Sequence, residues 1–534
     1  MNELLIRRGK YKKYPFTLLI LTLLAFVSCE KVIYMDSGDT RTDNGILDEN
    51  SSAHINDEGW MVYTPDTITN FRNPGMGWSI YEAGWSFEDP SWAKYDVNRF
   101  WSEIEACNAT SWSNILYIRL LWGDLETEEG KYAWDDPNSD FSVFVRKAKE
   151  HNLKLAFRVH FHGKKSVPDY VVEKGAAMTT TSTDPKRHPK VDDPVFLSCL
   201  DKFVEAFAAK FDDPDLVDYV DGYNIGHWGE GNTDNGLYHN PANKEMVIDV
   251  ITGIYAKHFK KVLTCTTFAE HNAGLMRKHA FGKNGFLPRR DGVGGPMVNA
   301  EQKLILEYTQ DKKTPFIGEA WYWFTGVDHC NQYKDPIEFK KKMVENVNHM
   351  IQLHSNVCDG RVPLECQWWE TVSPELVQKF ITNGGYRLYP DMIKYNQSGR
   401  KISVFSVWRN YAHGLLPNNH PNWNKKYQVS FALIDKDGNV KYIASDSRAN
   451  PGDWSNGVIN QSNGNGSDNI KIIEKRDEKY MYITPFEIPK DVTGEFTLCT
   501  GITDKTKNNE PGIEIAVPKD MKIGKWVKIA NVKL

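Results

Sequence analysis

Two glutamates in short, glycine-rich stretches have the chemistry of a hydrolytic pair. Glu230 lies near the end of "YNIGHWGEGN" (223–232), and Glu319 lies in "FIGEAW" (316–321). Each follows a run of apolar residues that predicts a strand, so both are expected where a strand gives way to a turn. Two carboxyl groups that meet in one cleft can cleave a glycosidic bond. One protonates the leaving oxygen, and the other attacks the anomeric carbon or activates water.

Other side chains at the predicted strand ends are of the types that bind sugars. Aromatic rings stack on the C–H faces of a sugar, while imidazole, amide, carboxylate and guanidinium groups bond its hydroxyls. The candidate substrate-binding residues are Arg119, Trp122, His160, His162, Asn224, His227, Trp228, Glu270, His271, Asp291, Trp321 and Trp323. Trp78, Tyr81 and His354 share the predicted position. Glu270 and Asp291 are also alternative nucleophiles to Glu319. A helix cap, a buried ion pair or a core ring is the competing interpretation for each residue.

The histidines raise the question of a metal site. His160 and His162 are two residues apart on a predicted strand and therefore face one side of it. With His227 and His271 they form a set that can hold zinc. Metal-dependent barrel hydrolases carry a His-x-His pair on the first strand and usually a lysine on the fourth, and neither feature is visible here. The sequence therefore predicts no metal and no cofactor, with the imidazoles bonding sugar hydroxyls or tuning the carboxyl groups.

An alternating pattern of strands and helices must position these residues. From Trp60 to about Tyr395, short apolar strands such as 114–125 and 153–162 alternate with amphipathic helices. Helical spacing continues over 336–356, which is predicted as a helix that runs into another. About eight such repeats in this length predict a (β/α)₈ TIM barrel, in which functional residues lie at the carboxyl ends of the strands. Glu230 then follows the fourth strand, and Glu319 lies on the seventh.

The pattern changes to a period of two in the last part of the chain. Tyr427, Val429, Phe431 and Leu433 alternate with polar or small residues, and Asp437 begins an Asp-Gly turn. Further short strands follow, separated by Gly, Pro and Asp. We therefore expect an α/β barrel over residues 60–395, followed by an all-β sandwich domain over 396–534 that braces the barrel or binds carbohydrate.

The N-terminus predicts export. A basic region precedes the apolar run "PFTLLILTLLAFVSC", which is too short to span a bilayer comfortably and has the form of a secretory signal. It ends at Cys29 in a context that resembles the lipobox of bacterial lipoproteins, which implies acylation of this cysteine. Residues 1–29 are thus expected to be a lipoprotein signal peptide, with cleavage near Ser28 as the alternative. Residues 30–59 are expected to be a flexible tether to the outer membrane, on its periplasmic or outer side.

Composition limits the partners. The 534 residues carry a net charge of −5, and no basic run follows the leader, so no nucleic-acid partner is expected. The 17 Trp and 24 Tyr favour carbohydrate, because flat rings stack on sugars. Seven cysteines beyond Cys29 form neither a disulfide framework nor a zinc motif. Cys358 and Cys366 are the pair close enough in sequence to bridge.

The two glutamates also carry a family resemblance. Glutamates after strands four and seven of a (β/α)₈ barrel resemble glycoside hydrolase clan A, the retaining enzymes that include many β-galactosidases, β-mannosidases and cellulases. "RLLWGDLETEEGKYAWDD" (119–136) is similar to the second-strand segment of clan-A β-galactosidases. The resemblance implies that Glu230 is the acid/base and Glu319 the nucleophile. Gly229 departs from the pattern, because clan A has Asn at this place; Asn224 or Asn232 is the expected substitute.

A second resemblance covers most of the chain from Asn73 onward. "FRNPGMGW", "GHWGEGN", "FIGEAW", "LHSN" and "GGYRLYP" together resemble an uncharacterised group of secreted barrel proteins with a C-terminal β-sandwich. The expected function is an exported, lipid-anchored glycoside hydrolase that cleaves oligo- or polysaccharides with retention, of the β-galactosidase kind. The alternatives are a surface lipoprotein that binds glycans without cleaving them and a metal-dependent barrel hydrolase.

Overall fold

A computed structural model describes most of the chain. The described residues are 45–48, 50–82, 97–163, 166–180, 188–226, 229–231, 235–268, 274–321, 336–456, 458–459, 472–473 and 478–534. The predicted leader, with Cys29, lies outside them.

Eight parallel strands close a barrel in chain order, with the eighth strand paired to the first. They are β1 (Gly77–Glu82), β2 (Ser113–Leu121), β3 (Lys154–His160), β4 (Val217–Asp221), β5 (Leu263–Thr267), β6 (Leu287–Val293), β7 (Phe316–Ala320) and β8 (Ser355–Arg361). The strands are buried on both faces, as parallel strands covered by helices must be. The predicted (β/α)₈ fold is confirmed.

Helices follow the strands and cover the barrel. The longer ones are α1 (Val97–Ala106), α2 (Asp140–Glu150), α3 (Pro194–Phe211), α4 (Lys244–His258), α5 (Pro296–Lys312), α6 (Pro336–Gln352), α7 (Val362–Val372) and α8 (Pro374–Asn383). Short helices span Ala109–Trp112, Trp122–Leu125 and Asp169–Glu173, and a π-helix spans Arg277–Lys283. The side chains of Ser139 and Asp193 cap α2 and α3 by accepting bonds from free N–H groups in the first turn.

The last barrel strand corrects the sequence prediction. The helix predicted over 336–356 ends at Gln352, and the chain turns at His354, whose φ is 56°. Residues 355–361 then form β8, which has no helical periodicity to reveal it because it is buried throughout. His354 was predicted at the carboxyl end of a strand, and this is wrong. It precedes β8 at the amino-terminal end of the barrel, far from the predicted site.

Two larger antiparallel sheets make up most of the β-rich part, and Val458–Ile459 and Ile472–Ile473 pair as a separate two-stranded sheet. One contains Ala53–Ile55, Met61–Tyr63, Leu388–Ser398, Lys401–Asn410 and Tyr480–Glu487. The other contains Tyr427–Ile434, Val440–Asp446, Glu495–Asp504, Glu510–Ile513, Lys522–Ile523 and Trp526–Lys533. Strand residues 53–55 lie in the predicted tether, and 61–63 and 388–395 lie in the predicted barrel. A strand carries no local signal of the partner with which it will pair, so the sequence placed these residues elsewhere.

The β-rich part packs under the amino-terminal end of the barrel. Apolar residues inside the barrel, including Tyr117 and Leu263, share one cluster with Trp408 and Phe431 of the sheets. Trp423 donates its indole N–H to the Lys261 carbonyl at 3.0 Å, just before β5. The sheets therefore brace the barrel at one end and leave the carboxyl ends of its strands to the loops.

Within the described part of the chain, no helix has the length and apolar character needed to cross a membrane.

Cys358 and Cys366 are separate, buried thiols, so the suggested bridge between them is wrong. Cys358 lies within β8 and Cys366 on α7, where each packs as a small apolar side chain.

Asn356 joins the barrel to the β-rich part and provides a stability test. Its Nδ2 donates to the carbonyls of Gly75 at 2.9 Å and Leu415 at 2.7 Å, and its Oδ1 accepts from Leu415 N at 2.9 Å. Asn356→Ala leaves three buried partners unpaired, so we expect the free energy of unfolding to fall by about 3 kcal/mol in urea titrations. Asn396→Ala, on an exposed position, should change it by less than about 0.5 kcal/mol. Equal effects of the two changes would contradict this account of the junction.

Candidate active site

Four arginines from four strands surround Glu319 inside the barrel. Glu319 Oε1 accepts from Arg361 Nη2 at 3.0 Å and from Arg119 Nη2 at 3.4 Å. Its Oε2 accepts from Arg158 Nη2 at 3.2 Å and pairs with Arg289. The side chains of all five residues are almost completely buried. Positive charge on every side favours the ionised form of this carboxyl group.

Two acidic residues orient the arginines around Glu319. Asp221, at the end of β4, accepts from Arg158 Nε at 3.0 Å and lies 3.5 Å from Arg289 Nη1. Asp359 on β8 accepts from Arg361 Nε at 2.9 Å. Its other oxygen accepts from the backbone N–H of Ala320, next to Glu319, at 2.6 Å. Strands β3, β4, β6, β7 and β8 are thus joined by one charged network.

Two tyrosines form a floor below the arginines. Tyr81 on β1 and Tyr117 on β2 lie with ring centroids 4.7 Å apart. The guanidinium carbons of Arg119 and Arg361 lie 5.3 Å and 4.9 Å from the Tyr81 centroid. The guanidinium carbon of Arg158 lies 5.8 Å from the Tyr117 centroid. These distances are within the range of cation–π attraction, so the rings stabilise the positive layer from the side opposite the carboxylates.

A tight turn after β4 presents Glu230 to this network. Gly229 and Gly231 on either side of it have φ of 69° and 74°, values that favour glycine. A Cβ on Gly229 would lie 2.6 Å from the Cβ of His160. The turn therefore has no room for an asparagine in place of Gly229.

The structure brings Glu230 and Glu319 together on one guanidinium. Arg119 Nη2 donates to Glu230 Oε1 at 2.7 Å and to Glu319 Oε1 at 3.4 Å. The two carboxylate oxygens are therefore separated by at most the sum of these distances, about 6 Å. Retaining glycosidases hold their carboxyl groups about 5–5.5 Å apart, and inverting enzymes hold theirs about 6.5–9.5 Å apart. This upper limit is compatible with the retaining arrangement and lies below the inverting range.

Glu230 and Asp291 have opposite protonation tendencies. Burial, together with the negative charge of Asp291, raises the pKa of Glu230, although Arg119 and Arg158 oppose the shift. Burial alone would also raise the pKa of Asp291, but the charges of Arg290 and its neighbours Arg289 and Arg158 hold it below its ordinary value. Neighbouring acids whose pKa values are driven apart are suited to separate acid and base roles. Glu230 is the group suited to donate a proton.

Two predicted substrate contacts have structural roles instead. Trp122 is fully buried, packs against Phe196 and Phe203 of α3, and donates its indole N–H to Glu126 at 2.8 Å. It belongs to the shell between barrel and helices. Asn224 is also fully buried and donates its amide to the Asp221 carbonyl, so it closes the turn after β4. The prediction that these two side chains face a substrate is wrong.

Glu126 holds together the segment 119–136, which is similar to clan-A β-galactosidases. Its carboxylate accepts from the Trp122 indole, from the backbone N–H of Gly130 at 2.9 Å and from the Tyr170 hydroxyl at 3.0 Å. Tyr132 stacks on Trp134 at 4.3 Å, and Trp134 packs into the helical shell. The motif holds the loop after β2 in place.

The remaining candidates cluster near the carboxyl ends of the strands. His160 ends β3 beside Gly229, and His162 follows it and stacks on His188 at 5.0 Å. Trp321 follows β7, is partly exposed, and packs against Gly295 so closely that no Cβ fits there. Six predicted residues lie outside the described part of the chain: His227, Trp228, Asn232, Glu270, His271 and Trp323. Among the residues that the structure describes, no three His, Cys, Asp or Glu are arranged to hold a metal ion.

Sequence reasoning missed most of the charged network. Arg158, Arg289, Arg361, Asp221 and Asp359 were not among the candidates. Each is a charged residue within a barrel strand that is buried along most of its length, as in "KLAFRVH" and "SNVCDGR". A charge in a strand that is buried on both faces needs a partner. That requirement is the signal that would have identified them.

Comparisons with known proteins give remote structural similarity. No protein-family model and no curated protein matches the chain. Among solved structures, xylanase B from Clostridium stercorarium F9 is 12% identical, with a TM-score of 0.34 over 58% of this chain and 100% of that chain. Endo-glycoceramidase II from Rhodococcus sp. is 10% identical, with a TM-score of 0.37 over 72% of this chain and 97% of that one. Exo-β-1,4-mannosidase Op5Man5 from Opitutaceae bacterium strain TAV5 is 11% identical, with a TM-score of 0.36 over 59% and 54%. The barrel is established by its own strand pairing rather than by these similarities.

The network predicts unequal costs for neutralising the two glutamates. Glu319→Gln leaves four buried guanidiniums without their shared anion, so we expect a loss of about 3–5 kcal/mol in the free energy of unfolding at neutral pH. Glu230→Gln should cost much less, because the environment of Glu230 already favours its neutral form. Urea titrations of both variants and the wild type measure the difference, and equal losses would contradict it.

The raised pKa of Glu230 predicts that the free energy of unfolding depends on pH. A carboxyl group whose folded pKa is raised contributes stability below its unfolded pKa, and this is lost as the pH rises through the folded pKa. Glutamine does not titrate, so Glu230→Gln should gain stability relative to the wild type as the pH rises from about 4 towards neutrality. Titrations across this range test it. A difference that stays constant with pH would show that the pKa of Glu230 is not raised.

Proposed function

We propose that this protein is a glycoside hydrolase that cleaves oligo- or polysaccharides with retention of anomeric configuration. The observation that carries the proposal is the shared contact of Glu230 and Glu319 with Arg119 Nη2, at 2.7 Å and 3.4 Å. It places two carboxyl groups, from the loop after β4 and from β7, within about one sugar ring of each other, as double displacement requires.

Glu230 is the acid and base of the proposed mechanism. Its raised pKa keeps a proton available for the departing glycosidic oxygen. Glu319, held ionised by the arginines, attacks the anomeric carbon as the bond to that oxygen breaks, and an ester to the sugar forms. Glu230 then removes a proton from water, the water attacks the same carbon, and Glu319 leaves with its negative charge restored.

Substrate contacts in this proposal come from the rim of the barrel. Trp321 is partly exposed beside β7 and supplies a flat ring for a sugar face. His160 and His162 supply imidazoles near Glu230 for hydroxyl groups. The resemblance of residues 119–136 to clan-A β-galactosidases makes a β-galactoside the first substrate to test.

A second candidate function is glycan binding without cleavage. A carboxylate has about four positions at which it accepts hydrogen bonds. Glu319 contacts four guanidiniums, from Arg119, Arg158, Arg289 and Arg361. A carboxylate held by four cations is a weak nucleophile, and this observation favours capture of a glycan over its hydrolysis.

Aryl glycosides distinguish the two functions. We expect the wild type to release the aryl group from a β-galactoside or from another member of a panel of β-mannosides, β-glucosides and β-xylosides. Glu319→Asp keeps the negative charge among the arginines, but its shorter side chain moves the carboxylate oxygens away from the anomeric carbon. This variant should lower kcat at least about 100-fold. Glu230→Gln should lower kcat/KM about 100-fold or more for poor leaving groups and less for activated ones, which need no proton.

The stereochemistry and the binding constants complete this experiment. Proton NMR of the first product formed should show the anomer of the substrate, and the inverted anomer would exclude Glu319 as a nucleophile. Both variants should keep ligand affinity close to that of the wild type. Binding with no turnover of any substrate by the wild type would favour the second candidate.

We also propose that the enzyme is exported and anchored by a lipid on Cys29. The lipobox-like context of this cysteine supports the proposal, as does the polar stretch that follows it. Cys29→Ser removes the acylated thiol, so the variant should leave the membrane fraction when expressed in a bacterium that processes lipoproteins. Labelling with a fatty acid should mark the wild type and not the variant. Equal membrane association of both forms would argue against the anchor.

A further inference from the structure

The sheet that contains Tyr480–Glu487 has an apolar outer face. Side chains alternate along this strand: Tyr482 and Phe486 pack against the core, and Met481 and Ile483 point to the opposite side. Met481 is 74% exposed and Ile483 is 53% exposed. Single exposed apolar residues are common on soluble proteins, but neighbouring ones on one face indicate an interaction surface.

The pairing register extends this face over three more strands. Val407 lies opposite Met481. On its other side Val407 lies opposite Met392, which in turn lies opposite Val62. Directly opposite residues point to the same face, and the spacing of neighbouring strands makes this row roughly 14 Å long. With the next outward pair of the same register, the outer patch consists of Val62, Met392, Phe405, Val407, Met481 and Ile483.

The free edge of the sheet is closed to another strand. The Ile483 carbonyl accepts from Arg448 Nη2, and the Glu487 carbonyl accepts from the Tyr442 hydroxyl at 3.3 Å. Pro485, between them, has no N–H to donate. These features oppose pairing with a strand of a second chain. A partner of the outer patch must therefore approach its face.

Lysines accompany the outer patch. Lys394 lies on the same face, Lys401 is exposed at the start of its strand, and Lys479 precedes the last strand. Two acids offset part of this charge, since Asp391 lies 3.5 Å from Lys479 and Glu487 lies opposite Lys401. Lysine stems lie along apolar surface while their ammonium groups reach outward. A surface that is apolar at its centre and carries lysines around it matches the headgroup region of a phospholipid bilayer.

The course of the chain selects a bilayer as the partner. Residues 30–44 connect Cys29 to Gly45, the first described residue, and span about 50 Å when fully extended or about 20 Å as a flexible coil. The chain then enters this sheet at Ala53, whose strand pairs with Met61–Tyr63 at one end of the outer patch. A tether this short gives an effective concentration in the millimolar range, at which even a weak contact is occupied.

We propose that the outer patch rests on the phospholipid bilayer to which the protein is anchored. This inference rests on the proposed anchor at Cys29. Met481 and Ile483 enter the boundary between headgroups and acyl chains, and the lysines lie at the level of the phosphates. The β-rich part packs under the amino-terminal end of the barrel, so this contact leaves the opposite end, with Glu230 and Glu319, to the substrate.

Methionine oxidation measures the contact in the acylated protein. The protein is reconstituted in vesicles of phosphatidylethanolamine and phosphatidylglycerol, treated with hydrogen peroxide and analysed by mass spectrometry. Met246, which is 40% exposed on α4, is the internal control for Met481. We expect Met481 to oxidise at least about fivefold more slowly on vesicles than in the unacylated protein in solution, because lipid shields its thioether. Met246 should oxidise equally in both.

Flotation with the same vesicles tests the outer patch without the anchor, on the unacylated chain from Cys29 onward. Met481→Ser combined with Ile483→Ser should lower its partition coefficient about tenfold or more, because apolar surface is lost from the patch. Ile68→Ser combined with Ile337→Ser removes two side chains that are 75% and 73% exposed elsewhere, and should leave the coefficient unchanged. If fatty-acid labelling shows no acylation, the anchor fails, and this measurement still decides whether the patch binds lipid.

Three results would overturn the proposal. The first is equal oxidation of Met481 on vesicles and in solution. The second is a partition coefficient that the Met481→Ser and Ile483→Ser pair does not change. The third is sedimentation that shows a dimer of the wild type and a monomer of this double variant, which would assign the outer patch to a second copy of the chain.

Discussion

The burial of four guanidinium groups inside one barrel is the constraint on which the rest of the structure depends. Each buried ion costs several kcal/mol unless a partner of opposite charge and good geometry compensates it. Arg119, Arg158, Arg289 and Arg361 are matched by Asp221, Glu230, Glu319 and Asp359. Neutralisation of Glu319, which contacts all four guanidiniums, leaves the most charge uncompensated. The positions of the two central glutamates are therefore set by the network as a whole.

The barrel interior is layered from its amino-terminal to its carboxyl-terminal end. Apolar side chains come first and form one core with the β-rich part. Tyr81 and Tyr117 follow, with the guanidiniums over their faces, and the carboxylates of Glu230 and Glu319 come last. Each layer supports the next: the apolar core excludes water from the tyrosines, and low solvent access strengthens the ion pairs. The bracing sheets thus support the lowest of these layers.

The sequence predicted the features whose signals are local. Glu230 and Glu319 follow apolar strands and lie beside glycines, so their place at strand ends could be predicted, and the strand–helix alternation predicted the barrel. The arginine network could not be predicted in the same way. Arg158, Arg289 and Arg361 are separated by long stretches of chain, and only closure of the barrel brings them together.

The wrong predictions have a common physical cause. Trp122 lies at the end of β2, but its ring turns outward to α3, a choice decided by packing rather than by position in the strand. Residues 355–361 are buried on all sides, and a fully buried segment shows neither helical nor strand periodicity. In both places tertiary contacts, which no local pattern records, determine the outcome.

The saturation of Glu319 has a consequence for the proposed chemistry. To attack carbon, this carboxylate must release one of its four guanidinium contacts. The contact with Arg119 Nη2, at 3.4 Å, is longer than those with Arg158 and Arg361, and Arg119 already donates to Glu230 at 2.7 Å. Release of Arg119 is therefore less costly than release of Arg158 or Arg361. Once the ester removes the negative charge of Glu319, Arg119 has Glu230 as its main partner and favours the ionised form of that group. In the proposed mechanism, the same guanidinium thus permits the attack and prepares Glu230 to act as the base in the second step.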